Sequence, residues 1–145
     1  MNTDLSTLPA LPVLIHLAAA LLALTLGTWQ MLAPRGSLRH RRVGYLWVTA
    51  MGVTAISSFW IKGHLGWSWL AGFSWIHLLS VWILVSLAMA VMRARQRQIS
   101  AHRGWMRGAF GGLVGAGVFA ALDPGRVLGH WLLTTVPASL SMLAH

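Results

Sequence analysis

Histidines carry most of the chemistry available to this chain, which has seven of them but no cysteine and only two acidic residues. Four of the histidines recur in matched pairs. Ile15-His16-Leu17 returns as Ile76-His77-Leu78 after 61 residues, and His40-Arg41 returns as His102-Arg103 after 62 residues. Similarity at a fixed spacing indicates a duplicated structural unit. Because imidazole binds haem iron and transfers protons near neutral pH, these pairs are the first candidates for a site.

Composition places these histidines in a membrane. The chain has 145 residues, of which 57% are hydrophobic and only 9% charged, far from the usual soluble mixture. Charge-free runs cover residues 5–34, 43–61 and 63–92, and a helix needs about 20 apolar residues to cross a bilayer. The shorter run 108–122 is sufficient if Arg107 reaches the headgroups. We therefore predict an all-α membrane protein with four transmembrane helices, over about Leu11–Ala33, Val43–Ile61, Ser74–Met92 and Trp105–Leu122.

The repeat organises the predicted helices into a four-helix bundle. We expect one membrane domain over residues 1–145, with two similar helical hairpins at about 11–62 and 74–122. The remaining segment, about 123–145, is expected along the outer surface. It opens with Asp123-Pro124-Gly125, which is typical of a helix start. A fifth span within 127–145 is less expected because Pro137 interrupts a helix.

The chain has a net charge of +9, and the distribution of its basic residues predicts the orientation. Nine of the eleven basic residues lie in the two hairpin connectors: Arg35, Arg39, Arg41, Arg42, Arg93, Arg95, Arg97, Arg103 and Arg107. Basic residues concentrate on the cytoplasmic side of membrane proteins, so both connectors should face inward and both termini outward. The same distribution argues against a nucleic-acid partner and makes the lipid bilayer the expected one.

The histidine pairs suggest a cofactor. Helices 1 and 3 are diagonal neighbours in an up-down bundle, so His16 and His77 near their outer ends should meet on one axis. We predict that they ligate a metal, as axial ligands of a b-type haem. His40 and His102 are expected in inner loops, as a further cofactor-binding pair. Arg41, Arg42 and Arg103 would meet the propionates there. A plain alternative is that neutral histidines bond to Ser57, Ser58, Ser80 or a backbone carbonyl and fasten helices together.

Two further features have open interpretations. Helix 4 contains five glycines, which suit close helix packing, a homodimer interface or room for a planar cofactor. At the outer side, Lys62 and Asp123 are expected to form an ion pair, or to line a polar cluster together with His64 and Arg126.

Several motifs together resemble a known family. They are His40-Arg41-Arg42-Val43-Gly44-Tyr45, Ser57-Ser58-Phe59, Ser74 to Ser80, His102-Arg103-Gly104-Trp105-Met106 and Pro124-Gly125-Arg126. From about residue 10 to 130 the chain resembles the bacterial integral membrane proteins catalogued as domain of unknown function 2306. The resemblance implies a small multi-pass protein of the bacterial inner membrane and supplies no catalytic residues.

Three functions remain open on the sequence. The first is electron transfer by haem b, with quinone as the partner. The second is a non-catalytic accessory or scaffolding subunit of a larger membrane complex. The third, a small-solute or proton transporter, ranks last because few polar residues lie at mid-depth. No paired carboxylates, phosphate-binding loop or nucleophile elbow is present, so no enzymatic activity is assigned.

Overall fold

The computed structural model describes residues 11–61 and 75–123, and every described element is helical. Helix α1 spans Leu11–Leu32, α2 spans Leu38–Ser57 and continues as a 3-10 turn over Ser58–Trp60, α3 spans Trp75–Arg95, and α4 spans Ile99–Leu122. All four helices are long and apolar enough to cross a membrane. The predicted all-α membrane class is therefore confirmed.

The chain divides into two compact units, residues 1–112 and residues 113–145, and the residues of α4 belong partly to each. All the interhelix contacts given below lie within the first unit. In the second, α4 ends at Leu122 and the Asp123 amide still bonds to the Phe119 carbonyl at 3.1 Å. The predicted grouping into one membrane domain of two hairpins plus an outer segment stays a prediction.

The connectors are shorter than predicted. Helix α2 begins at Leu38 and not near Val43, because the Ser37 side chain accepts a hydrogen bond from the His40 amide at 3.1 Å and caps the helix. Helix α4 begins at Ile99 and not near Trp105. Arginine is a good helix former, so the basic residues extend the helices beyond their apolar spans. His40 and His102 thus lie in first turns of helices, and their predicted placement in loops was wrong.

Two left-handed residues make these tight turns possible. Gly36 has a φ of +86° between α1 and α2, and Arg97 has a φ of +60° between α3 and α4. At the end of α3, the Arg97 amide bonds to Ala94 O at 3.0 Å and the Gln98 amide bonds to Arg93 O at 2.9 Å. These two bonds form a Schellman cap, whose left-handed position is usually occupied by glycine.

The interior of the first unit is packed with small and polar residues. Ala23, Ala90 and Ala109 are fully buried, which lets the helices approach closely. Buried hydroxyls accompany them at Thr54, Ser57, Ser58, Ser80 and Ser86. Large apolar side chains such as Leu21, Val81 and Trp82 are half-exposed instead, as expected for surfaces that face lipid.

Candidate functional site: a basic cavity and two histidine pairs

His16 joins α1 to α2. Its Nδ1 lies 2.9 Å from the Thr54 carbonyl oxygen and 3.1 Å from Ser57 Oγ. Because a carbonyl only accepts, the proton belongs on Nδ1, which donates it. The alternative interpretation of the sequence, that a neutral histidine fastens helices, therefore describes His16 well. Its predicted role as a haem or metal ligand stays a prediction.

His77 lies at the same end of the helices. Its side chain is 4% exposed, and its ring centroid is 5.7 Å from that of Phe59, two residues beyond the Ser57 that His16 contacts. Between them, Ser58 Oγ and Ser80 Oγ are 2.7 Å apart and link α2 to α3. A buried polar cluster of imidazoles and hydroxyls thus occupies the ends of these helices opposite the connectors.

The connector end contains a basic cavity of about 770 Å³. Eight of its lining residues are cationic or can become so: Arg35, His40, Arg41, Arg95, Arg97, His102, Arg103 and Arg107. Its other walls include Met31, Trp47, Val48, Val91 and Met106. No carboxylate lines it among the described residues. The volume lies within the range of small-molecule and cofactor sites.

The second histidine pair lines this basic cavity. His102 Nδ1 is 2.9 Å from the Ala90 carbonyl oxygen on α3, which fixes the proton on Nδ1 and leaves the lone pair on Nε2. His40 Nδ1 is buried and has no hydrogen-bond partner in the described part of the chain. Sequence reasoning gave this pair the lesser role because it placed both residues in loops.

Gln30 and Trp47, two other residues that line the basic cavity, join α1 to α2. Gln30 Nε2 on α1 donates to the His40 carbonyl at 3.0 Å, whereas Gln30 Oε1 is buried and unpartnered among the described residues. Trp47 Nε1 donates to Ala23 O at 2.8 Å, across the close approach of α1 and α2. Gln30 and Trp47 were not predicted as site residues. The one available signal was Gln30 itself, a lone amide in an apolar helix.

The predicted arginine partners separate into two sets. All three are exposed; Arg41 and Arg103 are among the residues that line the basic cavity, and Arg42 is not, so their role as propionate partners stays a prediction. Arg35, Arg95, Arg97 and Arg107 complete the lining, although the sequence indicated for them only an orienting role. Arg39, by contrast, stacks over the Trp29 ring at 4.9 Å from its centroid.

The α4 glycines that belong to the first unit are not tightly packed against other helices. A Cβ on Gly108 or Gly111 would meet nothing within 4 Å, and one on Gly112 would make ordinary contacts with Leu79 and Ile83. Trp82, which is half-exposed, packs against Trp105 with the ring centroids 5.8 Å apart and the ring planes tilted by 46°. A homodimer through this helix stays a prediction.

The predicted outer cluster lies mostly outside the described residues. Lys62, His64 and Arg126 belong to that part of the chain, and only Asp123 is described, directly after α4. The proposed Lys62–Asp123 ion pair therefore stays a prediction.

The basic cavity combines two ligand types. Guanidinium groups bind carboxylates and phosphates through paired hydrogen bonds. Imidazoles bind transition metals through whichever nitrogen carries the lone pair. Within residues 11–61 and 75–123, no group of three or more histidine, cysteine or acidic side chains forms a metal site. The arrangement therefore suits an anionic ligand with an apolar body, held by cations and contacted by two histidines.

Comparison with known proteins gives a family. No curated protein matches the chain, and no solved structure matches it either. The family model described as "Predicted membrane protein (DUF2306)" matches residues 13–140, which include both histidine pairs and the whole basic cavity. The chain belongs to this family of membrane proteins.

Proposed function

We propose that this protein binds a b-type haem in the basic cavity and transfers electrons within the membrane, with quinone as the expected partner. The observation that carries the proposal is that His40 and His102 line one cavity together with six arginines. A b-type haem is not covalently attached, so its binding requires axial ligands, an apolar slot and partners for two propionates. The residues that line the basic cavity include candidates for all three.

The histidine geometry supports axial ligation at this level. A metal-binding histidine usually donates its other ring N–H to a carbonyl or carboxylate, which fixes its tautomer and orientation. The His102 contact with Ala90 O is of this type. His40 supplies a buried Nδ1 without a partner among the described residues. When bound, the haem would supply one-electron chemistry in a chain that contains no cysteine.

The propionates have matching partners. Carboxylate–guanidinium pairs are strongest when two parallel hydrogen bonds form. Arg41 follows His40 directly, and Arg103 follows His102 directly, so each candidate ligand has a guanidinium beside it in the lining. These residues would orient the haem and offset its negative charge.

His16 and His77 provide a second candidate position at the opposite end. The His16 contact with Thr54 O is of the same kind as that of His102 with Ala90 O. The internal repeat predicts both histidine pairs, His40 with His102 and His16 with His77. One set of histidine variants decides which pair binds the haem.

The test is a reduced-minus-oxidised absorption spectrum of detergent-purified protein produced under haem-replete conditions. We expect a sharp α-band that His102→Ala abolishes and His40→Ala abolishes or shifts. His16→Ala and His77→Ala are the matched variants at the other end, and the haem of the basic cavity should survive them. Loss of the band only in these two would move the haem to the other end. A colourless protein would contradict the proposal and favour an accessory subunit.

A second candidate function is proton transfer across the membrane. The observation that favours it is that five hydroxyl residues, Thr54, Ser57, Ser58, Ser80 and Ser86, are buried inside the protein. Ser86 Oγ, in particular, is buried without a described partner. The test is proton flux into liposomes under an imposed potassium diffusion potential. Flux above that of empty liposomes, lost in His77→Ala but kept in Thr49→Ala, would support it, since the Thr49 hydroxyl is exposed.

A further inference from the structure

A groove between α2 and α3 adjoins the basic cavity. This α2–α3 groove has a volume of about 510 Å³ and is lined by Val48, Leu87, Ala88, Val91, Met92, Arg95 and Gln96. Five of these side chains are apolar, and the two polar ones follow at the end of α3. The groove is thus an open, mostly apolar surface depression with a cation and an amide at one end.

The groove and the cavity meet. Val48, Val91 and Arg95 line both, so the polar end of the groove opens toward the arginine cluster. A molecule with an apolar chain along the groove would therefore place an attached polar group beside Arg95. This continuity of an apolar and a cationic surface is what an amphiphile with a negative headgroup requires.

The charge of the basic cavity exceeds what a haem can offset. Six arginines line it, and two propionates would pair with two of them. No carboxylate among the described lining residues balances the others, and the whole sequence contains only two acidic residues. Positive charges concentrated next to a bilayer attract anionic headgroups. The six lining arginines are exposed and thus form a cationic surface that an anion from outside the chain can reach, with or without haem.

We propose that the α2–α3 groove binds one anionic phospholipid, with an acyl chain against Ala88 and Val91 and its phosphate at Arg95. The groove supplies affinity through apolar contact, and Arg95 selects the headgroup charge. Gln96 offers amide hydrogen bonds to the headgroup. Zwitterionic lipids of the same chain length fill the groove equally well but gain less from the cationic cavity beside it.

The experiment compares phosphatidylglycerol with phosphatidylcholine of identical acyl chains. Each lipid is titrated into detergent-purified protein, and bound lipid is counted by native mass spectrometry while the melting temperature is followed by tryptophan fluorescence. We expect one tightly bound phosphatidylglycerol per chain and a higher melting temperature than with phosphatidylcholine. Inorganic phosphate is the third arm, and it should give no such shift because it lacks the acyl chain. Equal binding of both lipids, or an equal shift with phosphate, would overturn the proposal.

Two variants with matched controls locate the site. Ala88→Trp places a bulky ring in the groove at an exposed position, whereas Val85→Trp places the same ring on the exposed surface of α3 outside it. Arg95→Gln removes the shared guanidinium, and Arg42→Gln removes an exposed guanidinium in the first part of α2 that lines neither space.

We expect Arg95→Gln to weaken the binding of phosphatidylglycerol about fivefold, which is the effect of one cationic side chain near anionic lipid. Ala88→Trp should abolish the bound lipid, and both controls should retain it. If Ala88→Trp fails to fold, Arg95→Gln decides by itself. Unchanged binding in both groove variants, or equal loss in the controls, refutes the site. The haem spectrum of each preparation is recorded alongside, so a missing lipid and a missing haem are scored separately.

Discussion

Gly27 of α1 lies against the rings of Trp47 and Phe110, and its replacement by alanine should destabilise the protein. A Cβ built there would be 2.5 Å from Trp47 Nε1 and 2.7 Å from Cδ2 and Cε2 of Phe110. Real side chains do not approach so closely, so either the two rings or the helices must move. Trp47 would then lose the geometry of its 2.8 Å bond to Ala23 O.

The magnitude follows from three contributions. Overpacking a close-packed interior costs about 1–3 kcal/mol. A weakened interhelical hydrogen bond in a membrane protein costs about 0.6–1.7 kcal/mol. Alanine is a better helix former than glycine, and this difference offsets about 1 kcal/mol of the loss in unfolding free energy. We therefore expect Gly27→Ala to lower the free energy of unfolding by roughly 1 to 4 kcal/mol.

The assay is unfolding of detergent-solubilised protein by denaturant, followed by tryptophan fluorescence. Gly52→Ala is the matched control, since a Cβ at Gly52 in α2 meets nothing within 4 Å and should leave stability equal or raised. Trp47 also lines the basic cavity, so Gly27→Ala should weaken ligand binding there as well. If Gly27→Ala is as stable as Gly52→Ala, this result contradicts the close packing of Trp47 and Phe110 against Gly27.

Three further predictions concern serines. Ser37→Ala removes the cap of α2 and should lower the free energy of unfolding by about 0.5–2 kcal/mol. Ser37→Asp can still accept a hydrogen bond from the His40 amide and should keep most of the stability. Equal stability of the two variants would contradict the cap. Ser86→Ala removes a fully buried hydroxyl without a described partner, so it should be neutral or stabilise by about 1 kcal/mol, and a clear loss in denaturant unfolding would show a partner for that hydroxyl. Ser58→Ala and Ser80→Ala should couple by about 0.6–1.7 kcal/mol in a double-mutant cycle because their hydroxyls are 2.7 Å apart, and additive effects would exclude this link between α2 and α3.

The apolar runs were sufficient to predict four membrane helices, because a bilayer imposes a minimum length on any span. They could not predict where α2 and α4 begin. Arginine-rich stretches look like loops by hydropathy, yet arginine has a high helix propensity, and Ser37 was available as a cap. The histidines at 40 and 102 were therefore found by the repeat but assigned to the wrong kind of structure.

The basic cavity itself could not be predicted from the sequence. Its walls come from both connectors and from α1, α2, α3 and α4, so it depends on how separate segments pack. The contacts of Gly27, Trp47 and Phe110 are likewise tertiary and leave no periodic signal. The left-handed turn at Arg97 lacks the glycine that would have marked it.

That arginine has an evolutionary consequence. A side chain other than glycine in a left-handed cap carries a conformational cost, which natural sequences keep where the side chain is useful. Arg97 lines the basic cavity, so in this chain the charge and the strained backbone coincide. Under the proposal that the cavity binds an anion, a lineage that lost this ligand would no longer gain from arginine at position 97, and glycine or asparagine would remove the conformational cost. The identity of residue 97 in related sequences would then indicate whether the cavity still binds an anion.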